Sequence, residues 1–103
     1  MKKAEAVLSV KFKSSLDPEE LIKVCNEDLE NFRKVPGLVQ KYYVAEDTTG
    51  AISGIYLFET KNARTAFWTS ELAKKIPARY GVIPESLRVE QYDMAIVLNN
   101  LAA

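Results

Sequence analysis

The run Gly50-Ala51-Ile52-Ser53-Gly54-Ile55-Tyr56-Leu57-Phe58-Glu59-Thr60 constrains this fold more than any other stretch of the chain. Successive side chains of a strand alternate between its faces, so Ile52, Tyr56 and Phe58 share one side with Gly54, and Ala51, Ile55 and Leu57 share the other with Ser53. Both sides are largely apolar. Such a strand belongs in the middle of a sheet that is covered on both faces, and the rest of the chain must supply the two covers.

The remaining apolar patterns suffice for one globular domain spanning residues 1–103, with 48% hydrophobic and 27% charged residues. Fourteen basic and fourteen acidic side chains cancel. That balance gives no general attraction to nucleic acid or to an anionic membrane. Met1-Lys2-Lys3 leads directly into alternating apolar positions, which reads as a strand and not as a signal peptide, and no apolar run is long enough to span a bilayer. The single Cys25 forms no internal disulfide and agrees with a reducing, cytoplasmic setting.

Ala4, Ala6, Leu8, Val10 and Phe12 alternate with more polar residues and mark the first strand. Asp17-Pro18-Glu19-Glu20 supplies an N-cap acceptor, a proline at the first helical position and early carboxylates, so a helix starts there and runs to about Lys34. Its inward stripe reads as Leu21, Ile22, Cys25, Leu29 and Phe32. Val35-Pro36-Gly37 turns the chain into a second strand, Leu38 to Glu46, and Asp47-Thr48-Thr49-Gly50 turns it again, making an antiparallel hairpin with the central run. Thr60 or Asn62 caps a second helix whose inward side is Ala63, Ala66, Phe67 and then Leu72 or Ala73, ended or bent by Pro77. Residues 76–84 read as irregular, Leu87 to Leu98 as the fourth strand, and Asn99 to Ala103 as a tail.

This β-α-β-β-α-β order is that of the α+β, ferredoxin-like plait, with strands one and three central and both helices on one sheet face. The other face keeps Val7, Ile55, Leu57 and further apolar groups from strands two and four. At roughly 25 cal/mol per Å², leaving them in water forfeits several kcal/mol, and contiguous apolar patches mark interfaces. The expectation is a homodimer with two sheets packed face to face.

With no histidine and one cysteine, no metal site is legible, and neither a G-x-G-x-x-G nor a P-loop pattern occurs. Cys25 lies on the apolar helix stripe and reads as core. Aromatic residues are the stronger signal. Most must be core, but Tyr42, Tyr56, Phe58, Trp68 and Tyr92 together would line a pocket suited to a flat apolar ligand carrying a few oxygens. Trp68 stands beside Phe67, so one of the two leans off the main stripe.

Pro36-Gly37-Leu38-Val39-Gln40-Lys41-Tyr42, Gly50, Ser53-Gly54-Ile55-Tyr56-Leu57-Phe58, a helix with Ala63, Ala66 and an aromatic pair, and Gly81-Val82 form a constellation that resembles the YdhR-like family. Its members are assigned as monooxygenases, within the dimeric α+β barrel superfamily and beside the antibiotic-biosynthesis monooxygenases. The resemblance implies a ferredoxin-like protomer, dimerisation through the sheets, and a pocket between sheet and helices. It further implies oxygenation of a small aromatic or polycyclic substrate without metal or bound cofactor. Such an enzyme must stabilise an enolate or phenolate, and Asn62, Arg64 and Arg88, with Trp68 beside them, are the candidates for that role. Asn62 reads equally as a helix cap and the arginines as solvated surface; Asp93 is a base only if buried. A histidine common in the family near Thr69 and Ser70 has no counterpart here. The alternatives are a non-catalytic ligand-binding or stress-associated dimer, and an isomerase or lyase on the same fold.

Overall fold

A computed structural model describes residues 3–98. Four strands, β1 (Ala6–Phe12), β2 (Leu38–Ala45), β3 (Ile52–Phe58) and β4 (Arg88–Asp93), form one antiparallel sheet in the order β2-β3-β1-β4. Helix α1 (Pro18–Arg33) joins β1 to β2, while α2 (Lys61–Trp68), α3 (Glu71–Lys74) and α4 (Ile76–Arg79) lie between β3 and β4. This is the ferredoxin-like α+β arrangement, and the central run is an inner strand as its two apolar faces require.

Register follows from which side chains need burial. Leu8 opposes Tyr56, Val10 opposes Gly54 and Phe12 opposes Ile52, so the apolar set of β1 meets that of β3 under the helices. Leu8 and Phe58 are wholly buried. Each such side chain contributes about 1.5–3 kcal/mol relative to exposure. On the opposite face Val7 pairs with Leu57 and Ser9 with Ile55, all half-buried. The β2–β3 hairpin forms as expected, with a bulge between Leu38 and Gln40 that turns Leu38 toward Phe58 and sets Lys41 opposite Tyr56.

Helix α1 begins where its sequence dictates: the Glu20 N–H donates to Asp17 Oδ1 over 3.0 Å. Gly37 follows its end at φ +76°, and a Cβ there would stand 2.5 Å from Ala63 Cβ, so the turn packs directly onto α2.

Several expectations give way to packing. The buried stripe of α1 is Cys25, Asp28 and Phe32, whereas Ile22 is 60% exposed, because the helix is rotated to bring a carboxylate under the sheet. The second helix does not continue to Pro77. Thr69 ends α2, the Ser70 hydroxyl accepts from Ala73 N–H to restart the chain as α3, and Pro77 lies in the first turn of α4, where its missing N–H is harmless. Residues 76–84 therefore hold a helical turn, followed by a 3-10 turn at Pro84–Ser86. Ala66 is exposed, and Arg64, expected at the surface, is buried at 8% with Nη1 donating to the Tyr92 carbonyl at 2.7 Å. The fourth strand stops at Asp93, which pairs with Ala6, the first residue of β1, and one further backbone bond follows, from Met94 N–H to the Glu5 carbonyl at 2.8 Å. Ile96 and Leu98 are consequently exposed, and the expected tail at 99–103 lies outside the described residues.

Candidate functional site

Between sheet and helices lies a small cavity walled by Val10, Phe12, Tyr43, Tyr56, Ile76 and Tyr80, with Lys41 entering it from β2. Its free space is about 10 Å³, the threshold for a single water. Gly54 forms part of its floor: a Cβ there would meet Tyr56 Cε1 at 3.0 Å and Lys41 Cε at 3.4 Å. A glycine within a central strand marks such a close approach. Lys41 also borders an open groove of about 250 Å³ with Leu29, Phe32, Arg33, Leu38 and Gln40. The lysine side chain thus stands between the enclosed space and the outside.

The Lys41 ammonium site is built from aromatic faces. Nζ lies 3.3 Å from the Phe32 ring centroid, 3.9 Å from that of Tyr43 and 4.5 Å from that of Tyr56. These rings favour the cation. Burial disfavours it more strongly and brings the amine down to about 7 from 10.5, with the charges of Cys25 and Asp28 opposing that fall. Lys41 is therefore poised between amine and ammonium at neutral pH.

A line of hydrogen bonds leaves this amine. Lys41 Nζ donates to Tyr43 Oη at 2.7 Å, the Tyr43 and Tyr80 hydroxyls are 2.9 Å apart, and Tyr80 donates to Asp28 Oδ2 at 2.8 Å. Asp28 is 2% exposed and accepts also from Arg79 Nε at 3.2 Å and Asn31 Nδ2 at 3.1 Å. Both carboxylate oxygens are thereby acceptors. Burial raises the ionisation of the Tyr43, Tyr56 and Tyr80 hydroxyls above their ordinary value, so all three stay neutral donors in the physiological range. Cys25 is buried beside them, and desolvation raises its thiol too.

The sequence-based candidates do not converge on one pocket. Tyr56 and Phe58 do lie together on the helix-covered face, their rings stacked at 6.2 Å and both near Phe67. Tyr42 pairs with Ile55 and Tyr92 with Val7, so both project from the opposite face, each 49% exposed. Arg88 shares that open face and lines a groove with Lys11, Ile83 and Ser86. Trp68 is half-buried against the core. Asn62 borders a roomier groove, about 690 Å³, between the end of α1 and α2, while Thr60 and not Asn62 caps that helix. Asp93 is exposed and pairs with Lys61 at 3.1 Å.

Lys41, Tyr43, Tyr80 and Asp28 were not singled out from the sequence. Lys41 and Tyr43 could have been found there, since alternation along β2 puts both on the inward face and an inward lysine is unusual. Among the described residues no group of three or more His, Cys, Asp or Glu could hold a metal ion, and no helix is long and apolar enough to cross a membrane.

No protein of curated function matches the chain as a relative. Among solved structures, protein SO0527 from Shewanella oneidensis superposes with a TM-score of 0.70 at 17% identity, over 90% of this chain and 93% of its own. SnoaB, a cofactor-independent oxygenase from Streptomyces nogalater, gives 0.67 at 13% identity, over 94% and 97%. A monooxygenase from the gene ActVA-Orf6 of Streptomyces coelicolor, solved with the ligand Nanaomycin D, gives 0.67 at 17%, over 95% and 94%. At these identities the likeness concerns the fold. The family model described as "Putative mono-oxygenase ydhR" matches residues 7–102, nearly the whole chain, and the protein accordingly belongs to the ydhR mono-oxygenase family.

Proposed function

We propose that this protein is a cofactor-independent monooxygenase acting on a small aromatic or polycyclic hydrophobic molecule held between sheet and helices. The carrying observation is the Lys41 amine, poised near neutrality within the Phe32, Tyr43 and Tyr56 rings and opening onto a groove. Reaction of a phenolic substrate with oxygen starts from its anion, and a neutral amine that becomes an ammonium on taking the proton both forms that anion and holds it. Leu29, Phe32 and Leu38 supply apolar wall to the groove and Tyr56 to the enclosed cavity, whereas Phe58 is wholly buried behind Tyr56. The family and the fold shared with SnoaB support this reading. The enclosed cavity has room for no more than a single water, so the substrate lies in the open groove beside Lys41, with the amine held in place by the rings.

A homodimer belongs to the same proposal. Tyr42, Val44 and Tyr92 are each about half exposed on the face away from the helices. A second sheet would cover them, and Arg88 with them. The lone, buried Cys25 suits a reducing cytoplasm. A monomer by sedimentation at micromolar concentration would remove the dimer.

Oxygen uptake and product formation with quinol-like and polyphenolic compounds test the enzyme. Uptake abolished by Lys41→Met supports it; no turnover across a broad panel refutes it. The confined cavity favours one other reading, a ligand-binding protein without turnover, for which thermal stabilisation by such compounds without product is the signature.

A further inference from the structure

The hydrogen bonds that leave Lys41 share one direction. The amine donates to Tyr43 Oη, and Tyr80 donates to Asp28, whose oxygens only accept. The hydroxyl pair between them can then be satisfied in one sense alone, with Tyr43 donating to Tyr80 at 2.9 Å. Four groups, two from β2, one from α1 and one from the C-cap of α4, are aligned head to tail with every gap between 2.7 and 2.9 Å. The line begins at the cavity and ends at a carboxylate whose partner Arg79 has a side chain 42% exposed.

We propose that Lys41, Tyr43, Tyr80 and Asp28 form a proton relay that carries a proton from the cavity to the surface beneath α4, with Lys41 as the base that receives it. The identity of the proton donor, a phenol-like ligand, rests on the function proposed above; the relay itself does not. In the first step the ligand O–H bond breaks and an N–H bond forms on Lys41 Nζ. In the second, Lys41 passes a proton to Tyr43 Oη as Tyr43 passes its own to Tyr80 and Tyr80 its own to Asp28 Oδ2. Each O–H or N–H bond broken is matched by one formed and no electrons change owner. The net result is a ligand anion, a restored amine and a protonated Asp28, which returns its proton to water past Arg79.

The groups facing Lys41 define its titration. They are Cys25 and Asp28 on α1, Arg33 at the groove, Tyr43 on its own strand, Tyr56 on β3, and Tyr80 at the C-cap of α4, while Arg79 on α4 pairs with Asp28. From β1 only Val10 and Phe12 reach the cavity. Tyr43 and Tyr80 are neutral throughout the working range, which lets them relay without storing charge.

The test follows exchange of the Lys41 ammonium protons with water by NMR in protein labelled with 15N-lysine, at pH 6. Tyr80→Phe is expected to slow that exchange about tenfold while leaving the ring packing in place, and Tyr43→Phe to do the same should Tyr80→Phe fail to fold. An exchange rate unchanged in the folded variant overturns the relay, because the proton then leaves through the groove beside Arg33 and Gln40. Slowed exchange without oxygen uptake in the wild type would retain the relay and discard the monooxygenase. Oxygen uptake with unchanged exchange would do the reverse.

Discussion

Replacing Lys41 by methionine isolates the energetics of the site. In the folded protein Lys41 loses its proton at about 7, whereas its ordinary value is 10.5. Between those values the unfolded chain binds more protons than the native one, so this residue makes stability rise with pH across that window; its full cost is present below it. Integrating the difference in bound protons from pH 6 to pH 9 gives about 3 kcal/mol from Lys41 alone, at roughly 1.4 kcal/mol per pH unit. Urea unfolding of wild type and Lys41→Met at both pH values measures it. Every other titrating group contributes equally to both proteins to first order, so the stability advantage of Lys41→Met over wild type should shrink by about 3 kcal/mol between pH 6 and pH 9. The aromatic faces work against this outcome. With Nζ only 3.3 Å from the Phe32 centroid, each ring stabilises the cation by about 0.5–2 kcal/mol. A difference flat to within about 0.5 kcal/mol would mean that the rings hold the ammonium charged throughout, and would refute the argument for a neutral base.

Three further outcomes follow from named contacts. Gly37→Ala should cost about 2 kcal/mol or more, since it adds a clash with Ala63 Cβ at 2.5 Å to the left-handed penalty, while Gly50→Ala, at φ +73° in open space, should cost only about 1 kcal/mol; urea midpoints with matched slopes would show the contrast. Phe58→Ala, at a wholly buried ring, should destabilise by about 3–5 kcal/mol in the same assay. The Cys25 thiol, raised by burial, should react slowly with iodoacetamide in native protein and quickly once urea opens the core; rapid native labelling would contradict its placement.

Much of this architecture is legible in local chemistry. Alternation along residues 52–58 marks a strand with two apolar faces, the Asp17–Glu20 cap marks the start of α1, and Gly37 and Gly50 mark turns that need positive φ. Element ends were less legible. Strand β4 ends opposite the first residue of β1, a fact about another strand, and α2 breaks at Thr69 and Ser70 because side-chain caps there compete with helix continuation. The aromatic candidates divided for a related reason: composition brings Tyr42, Tyr56 and Tyr92 into one list, whereas strand parity and register send Tyr56 under the helices and the other two to the open face.

The sequence by itself determined the order of the four strands, the starts of α1 and α2 and the two-faced central strand, since periodicity, caps and turn residues act between near neighbours and need no tertiary partner. The site was decided only by the fold. Asp28 and Tyr80 are 52 residues apart, and Tyr43 and Tyr80 are 37. They meet only because the rotation of α1 and the placement of α4 bring their side chains to the inward face of β2. The low proton affinity of Lys41 likewise belongs to its surroundings, because desolvation comes from elements remote in sequence that close over it.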